Sequence, residues 1–153
     1  MNKATAAVRL WSLKNVFLLA FVKPSVLELS EQRCVVRIPL SWRTRNHLRS
    51  MYFGALCIGA DIAGGLIAFE LIRRSGAKVA FIFKDVRAEF LKRAEGDVVF
   101  TNEDGALVQD LVRRALETGE REEATVRVTA RVPSKLGDEP VAQFALTLSL
   151  KRR

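Results

Sequence analysis

The segment Phe53–Arg74 constrains this chain more than any other. It is apolar on nearly every side and rich in small residues, with Gly54, Ala55, Gly59, Ala60, Ala63, Gly64, Gly65 and Ala68 in close succession. Each interior glycine costs a helix about 1 kcal/mol relative to alanine, a cost accepted where a backbone or a ligand must come close. Arg73 and Arg74 complement the C-terminal dipole of such a helix, and Gly76 ends it. The segment is long enough to span a bilayer, but Asp61 sits near its centre and Glu70 near its end. A central carboxylate opposes insertion by roughly 2.5–3.5 kcal/mol. The expectation is therefore a core helix wrapped by other elements, and no membrane span.

The flanking segments supply the wrapping. Ala6–Val22 carries apolar residues at largely helical spacing and stops at Pro24, which reads as a lid or edge helix. Its apolar stretch, Val16–Val22, is too short to cross a membrane and precedes no small-residue cleavage site. Val26–Leu29 and Arg33–Leu40 read as short strands, and Ser41–Met51 as a polar, basic loop. Lys78–Phe90 alternates as a strand with a phase shift near Asp85 that predicts a bulge. Beyond a turn at Glu95–Asp97, Val98–Thr101 is a further strand. Thr101 or Asn102 caps a helix over Asp104–Glu117, and Gly119 closes it. Ala124–Val132 and Val141–Leu150 alternate about a turn at Lys135–Pro140 and form a hairpin. Strands in runs imply an antiparallel sheet, so the fold class is α+β: an antiparallel sheet wrapped around a long central helix. At 153 residues this is one domain, residues 1–153, with an N-terminal helix over 1–24 preceding the core. One layer of helix on sheet leaves an edge or a face to cover, so a homodimer is expected.

The formal charge of +8 favours an anionic partner: nucleic acid, a membrane surface or a phosphorylated small molecule. The cations are scattered, with no run of like charge and no base-stacking motif. A solvated surface with a few phosphate-steering residues is the reading, and nucleic acid is not expected as a partner. Cys34 and Cys57 read as reduced core residues of a cytoplasmic protein. His47 is the only histidine, which leaves no zinc-spaced cluster and no catalytic triad unless His47 is its base. No metal and no cofactor are expected. Phe81, Phe83, Phe90 and Phe100 read as core.

Chemistry concentrates at the start of the long helix. Gly54 lies in its first turn, where N–H groups are unpaired and the dipole is positive, so a carbonyl could approach and have its developing negative charge stabilised. Asp61 follows seven residues later, about two turns, on the same face. A carboxylate on an apolar helix has a raised pKa, which suits a general base or nucleophile near neutrality. Asn46, Tyr52-Phe53-Gly54 and Ala60-Asp61 together resemble the hotdog-fold thioesterase superfamily, with the phenylacetate-degradation thioesterases the closest comparison and a branch known mainly as a domain of unknown function also similar. There the pattern is Asn, five residues, His-Gly-Gly, six residues, and an acidic residue preceded by Ala. Tyr52 stands in place of the His and Phe53 in place of the first Gly.

The resemblance implies a hotdog fold and a homodimer or tetramer that hydrolyses an acyl thioester of coenzyme A or acyl carrier protein at the dimer interface. Asp61, Asn46 and Gly54 would then be catalytic. Asp61 would face the Asn and Gly of the other subunit, and Asn46 would position the attacking water or the thioester. Tyr52, Phe53, Ser50 and Arg49 are the candidate substrate contacts. Tyr52 either donates a hydrogen bond or fills space, Phe53 narrows the acyl channel, and Ser50 is a polar contact or a helix N-terminal residue. Arg43, Arg45 and Arg49 are candidates for the phosphates of coenzyme A. Two rivals stand beside hydrolysis: a non-catalytic acyl-thioester-binding protein, and a basic module for nucleic acid or a membrane surface. Dehydration of hydroxyacyl thioesters is disfavoured, because such members rely on a His that is absent at Tyr52.

Overall fold

The computed structural model describes residues 1–153. Its elements are α1 (Lys3–Asn15), α2 (Phe17–Phe21), β1 (Ser25–Leu29), β2 (Cys34–Ile38), α3 (Phe53–Ser75), β3 (Val79–Phe90), β4 (Val98–Asn102), α4 (Gly105–Thr118), β5 (Arg121–Arg131), α5 (Pro133–Leu136) and β6 (Pro140–Arg152). Six antiparallel strands form one sheet in the order β1-β2-β4-β5-β6-β3. The sheet curls around α3. The phase shift foreseen in β3 is a bulge between Phe83 and Asp85, and it returns Val86, Ala88 and Phe90 to register with Leu146, Phe144 and Ala142 of β6.

Alternation in the strands decides what faces the helix. Val36 and Phe100, paired across β2 and β4, are fully buried, as are Val126, Val128 and Leu148. They meet Ala60, Ala63 and Ala68 of α3, also fully buried. Each large side chain so removed from water stabilises the fold by about 1.5–3 kcal/mol. The small residues set the spacing: a Cβ on Gly59 would lie 2.3 Å from the Phe100 ring, and one on Gly65 would lie 3.0 Å from Phe81. Gly76 ends α3 with φ +69°, a conformation glycine adopts without strain. The glycines foreseen as permitting close approach do so mainly for aromatic rings.

Four expectations need correction. First, α3 is buried on its sheet side only. Phe53 is exposed, while Cys57, Ile58, Asp61, Leu66, Phe69 and Glu70 are only partly buried. The strands cover one side of the cylinder, and α1 and α2 roof part of the other. Its apolar length alone would suit a membrane, yet its sheet side is core. Second, the N-terminal helix breaks at Val16, whose φ −143° and ψ 86° are not helical. Two poor helix formers meet there, Val16 and Phe17, and the break leaves Leu19 lining the same cavity as Val8 and Trp11. Third, no side chain caps the first turn of α4. Asn102 Oδ1 accepts instead from the Asp104 N–H at 2.8 Å, ahead of the helix. Fourth, of the four phenylalanines assigned to the core, only Phe100 is fully buried. Phe81 and Phe83 are half-buried beside α3, and Phe90 is exposed on β3, because β3 is the sheet edge and no further strand covers its outer side.

Candidate functional site

Asp61 lies two turns into α3, in the wall of a cavity of about 740 Å³ between α1, α3 and β3. Val8 and Trp11 of α1, Leu66 and Phe69 of α3, and Phe81 and Phe83 of β3 make the lining mostly apolar. The rings of Trp11 and Phe69 meet edge to face at 5.1 Å and join the helical roof to α3. Burial pushes the Asp61 carboxyl up from 3.8 to about 6, and burial is the only cause. A second polar group shares this wall. Ser12, on α1, is fully buried, and its Oγ has no hydrogen-bond partner.

Asn46, Ser50, Tyr52 and Phe53 line a separate concavity of about 510 Å³ at the start of α3 together with His47 and Phe90, whereas Gly54 and Arg49 lie outside its lining. The loop leading there is folded by its own polar side chains. Thr44 Oγ1 accepts from the Ser41 N–H and donates to the Pro39 carbonyl, while the Thr44 carbonyl accepts from the Tyr52 N–H at 2.7 Å. Asn46 Oδ1 accepts from the N–H groups of Leu48 and Ser50, at 2.9 and 3.2 Å, and from Ser50 Oγ. Asn46 and the buried Ser50 thus shape this loop. Arg49, exposed at its tip with φ +61°, takes a left-handed conformation that the turn imposes.

No side chain caps α3 and no acidic residue lies in its first turn, so its first N–H groups have no protein partner beyond the Leu56 bond to the Tyr52 carbonyl. The ring of Tyr52 lies over Gly54: a Cβ there would stand 2.4 Å from Tyr52 Cε1. Phe53 packs on Tyr52 and on Phe90, with centroids 4.8 and 6.1 Å apart. Within one protomer the fold therefore brings Asn46, Ser50, Tyr52, Phe53 and Gly54 together but holds Asp61 apart, about 10 Å further along the helix at 1.5 Å per residue.

Burial pushes the Cys34 thiol up to about 12, which leaves it an inert core residue, and also raises that of Cys57. No group of three metal-ligating side chains converges anywhere in the structure. Sequence reasoning missed Ser12 and Trp11 as cavity residues, because α1 gave no sign of which face turns inward. It also missed that the fully buried Asn102 donates to the Ala63 carbonyl at 3.1 Å, tying β4 to α3 two residues from Asp61. An asparagine at the end of a β-branched strand was the available signal.

Solved structures of similar shape include a candidate thioesterase from Shewanella oneidensis, with TM-score 0.80 and 13% identity over 97% of this chain and 98% of that one. A Pseudomonas aeruginosa protein of unknown function, regarded as a candidate thioesterase, has TM-score 0.77 and 22% identity over 97% and 96%. A thioesterase from Haemophilus influenzae has TM-score 0.69 and 14% identity over 94% and 88%. These likenesses establish the hotdog fold. No curated protein matches the chain. Residues 10–150 match the profile of a domain of unknown function, DUF4442, and the chain belongs to that family.

Proposed function

We propose that this protein hydrolyses acyl thioesters, of coenzyme A or of acyl carrier protein, at a site completed by a second copy of the chain. The carrying observation is geometric: the partly buried Asp61 carboxyl group, its pKa raised by burial, stands in the wall of a mostly apolar cavity of about 740 Å³. Asp61 is the base or nucleophile in this reading. The unpaired N–H groups at the start of α3 are the donors for the oxyanion. A separation of about 10 Å is too long for one thioester carbonyl to meet both on the same helix, since a base must lie within hydrogen-bond reach of the water it activates. Two α3 helices running antiparallel across a dyad would set each Asp61 opposite the other copy's Gly54. The unpaired edge of β3, twelve residues long with Ile82, Val86 and Phe90 exposed, supports such pairing. Asn46 supplies its free amide nitrogen to the site while its oxygen holds the loop. Ser50 shapes that loop, Tyr52 and Phe53 border the thioester, and Arg49 is the candidate contact for carrier phosphates. Ser12 Oγ offers a hydrogen bond to a polar group on the bound chain.

A panel of acyl-CoA thioesters of graded length, followed by thiol release, tests this reading. Wild-type protein should release thiol with a rate that rises through about pH 6, and Asp61→Asn should lose at least ~10²-fold. Undiminished turnover in that variant removes Asp61 from the mechanism. The Tyr52 ring over Gly54 favours a second reading, a non-catalytic acyl-thioester binder. Calorimetric binding of acyl-CoA without free thiol, in both wild type and Tyr52→Ala, selects it.

A further inference from the structure

The positive charge of this chain is segregated in a way the linear sequence hides. Residues 1–27 and 38–60 contain Lys3, Arg9, Lys14, Lys23, Arg43, Arg45 and Arg49 and not one Asp or Glu. These seven cations account for nearly all of the net +8. The ion pairs of the protein engage other arginines and lysines, such as Arg33, Arg73, Arg74, Arg113 and Arg114, and none of these seven. Arg9 alone is occupied, strapping α1 to the backbone carbonyls of Lys23 and Pro24.

The fold brings the two acid-free segments together. The Phe21 ring of α2 meets Trp42, in the loop before α3, edge to face at 6.0 Å, and the Arg43 guanidinium lies over both rings, at 5.7 and 4.8 Å from their centroids. Around this junction the surface is strongly apolar. Phe17, Leu18 and Trp42 are 61%, 63% and 67% exposed, and Leu10 and Leu13 are exposed on α1. Leu10 and Leu13 of α1, and Phe17 and Leu18 of α2 after the break at Val16, stay outside the cavity that Val8, Ser12 and Leu19 line. The N-terminal helices therefore have two apolar faces. One roofs the cavity, and the other has no partner in the protomer.

We propose that α1, α2 and the Trp42–Arg45 segment form a docking surface for an anionic phospholipid bilayer. Leu, Phe and Trp side chains rimmed by Lys and Arg have the chemistry of an interfacial helix, in which apolar side chains enter the headgroup–acyl boundary and cations meet lipid phosphates. Tryptophan suits that boundary, and an arginine stacked on aromatic rings keeps its charge at phosphate depth while its stem covers apolar surface. Nucleic acid would use the cations but leave Leu10, Leu13, Phe17 and Leu18 without a role. A second copy packed on this patch face to face would oppose the same cations, and the oligomeric state of the variant below tests any other packing. Attachment in this pose is peripheral and sets the roof of the Asp61 cavity against the membrane.

The test is co-sedimentation of the full chain with vesicles of phosphatidylcholine alone and of phosphatidylcholine mixed with phosphatidylglycerol, at low and high salt. Binding should appear on the anionic vesicles only and weaken about tenfold or more as salt screens the surface charge. The double variant Phe17→Ser/Trp42→Ser, which alters exposed side chains and no charge, should lose about tenfold or more. Lys14→Glu/Arg45→Glu, which leaves every apolar side chain in place, should lose at least as much. Failure to sediment, or equal binding to neutral vesicles, overturns the proposal. So does binding that the apolar double variant leaves unchanged, the behaviour of a nucleic-acid surface, or a fall in oligomeric state of that variant in sedimentation equilibrium, which would assign the patch to a second copy.

Discussion

Replacing Asp61 by asparagine should make this protein more stable, and the size of the gain follows from the structure. The carboxyl titrates at 3.8 when solvated and at about 6 in the cavity wall, with burial as the whole cause. Between those values the folded protein holds a proton that the unfolded chain has released, so stability falls as pH rises. The contribution is fully present below about pH 4 and lost by the time pH passes about 6. At about 1.4 kcal/mol for each pH unit, the penalty at pH 7 is about 3 kcal/mol. Asparagine has nearly the same shape and no charge to desolvate, so Asp61→Asn should recover up to that amount. The assay is urea unfolding of both proteins, at one protein concentration, from pH 4 to pH 8. The two midpoints should coincide near pH 4 and diverge steadily to about pH 7. Parallel curves would refute the reasoning, since they would mean that the carboxylate is solvated or paired. Stability that rises with pH in the wild type relative to the variant would refute its sign.

Two glycines five residues apart on α3, Gly59 and Gly64, should respond oppositely to the same change. Gly59→Ala puts a methyl 2.3 Å from the fully buried Phe100 ring and should destabilise by about 1–2 kcal/mol, the overpacking strain less the helix-propensity gain. At Gly64 the nearest atom is 3.4 Å away, so Gly64→Ala should be neutral or stabilising by up to about 1 kcal/mol in the same unfolding assay. Asn102→Ala removes the donor to the α3 carbonyls and the acceptor for the Asp104 N–H. It should cost about 2–3 kcal/mol in thermal or urea unfolding, because the groups left behind are buried without partners.

Most of the backbone was legible because its signals are local. Alternation in Cys34–Ile38, the phase shift at Asp85, and the glycines after α3 and α4 each decide their own neighbourhood, and the elements lie where those signals put them. What escaped depends on three-dimensional cover. Phe90 and Phe100 are indistinguishable by residue type, yet one lies at a sheet edge and the other under α3. The small residues of α3 read as burial all round, although strands cover only one side. Asn46 and Gly54 were legible by spacing, but the ring of Tyr52 over Gly54 and the engagement of Asn46 Oδ1 with its own loop are matters of side-chain direction. The cations seemed scattered because residues 1–27 and 38–60 meet only in the fold, where Arg43 stacks on Phe21.

Whether two chains share one site is decided most directly by mixing two inactive variants. Asp61→Asn lacks the base, and Gly54→Leu fills the first turn of α3, displacing only the half-exposed Tyr52 ring. If Asp61 of one copy serves Gly54 of the other, each mixed dimer carries one intact site. An equimolar mixture, unfolded and refolded together, should then regain about one quarter of wild-type thiol release, as the two-fold symmetry of the dimer requires. A mixture as inactive as its two components would contradict the account.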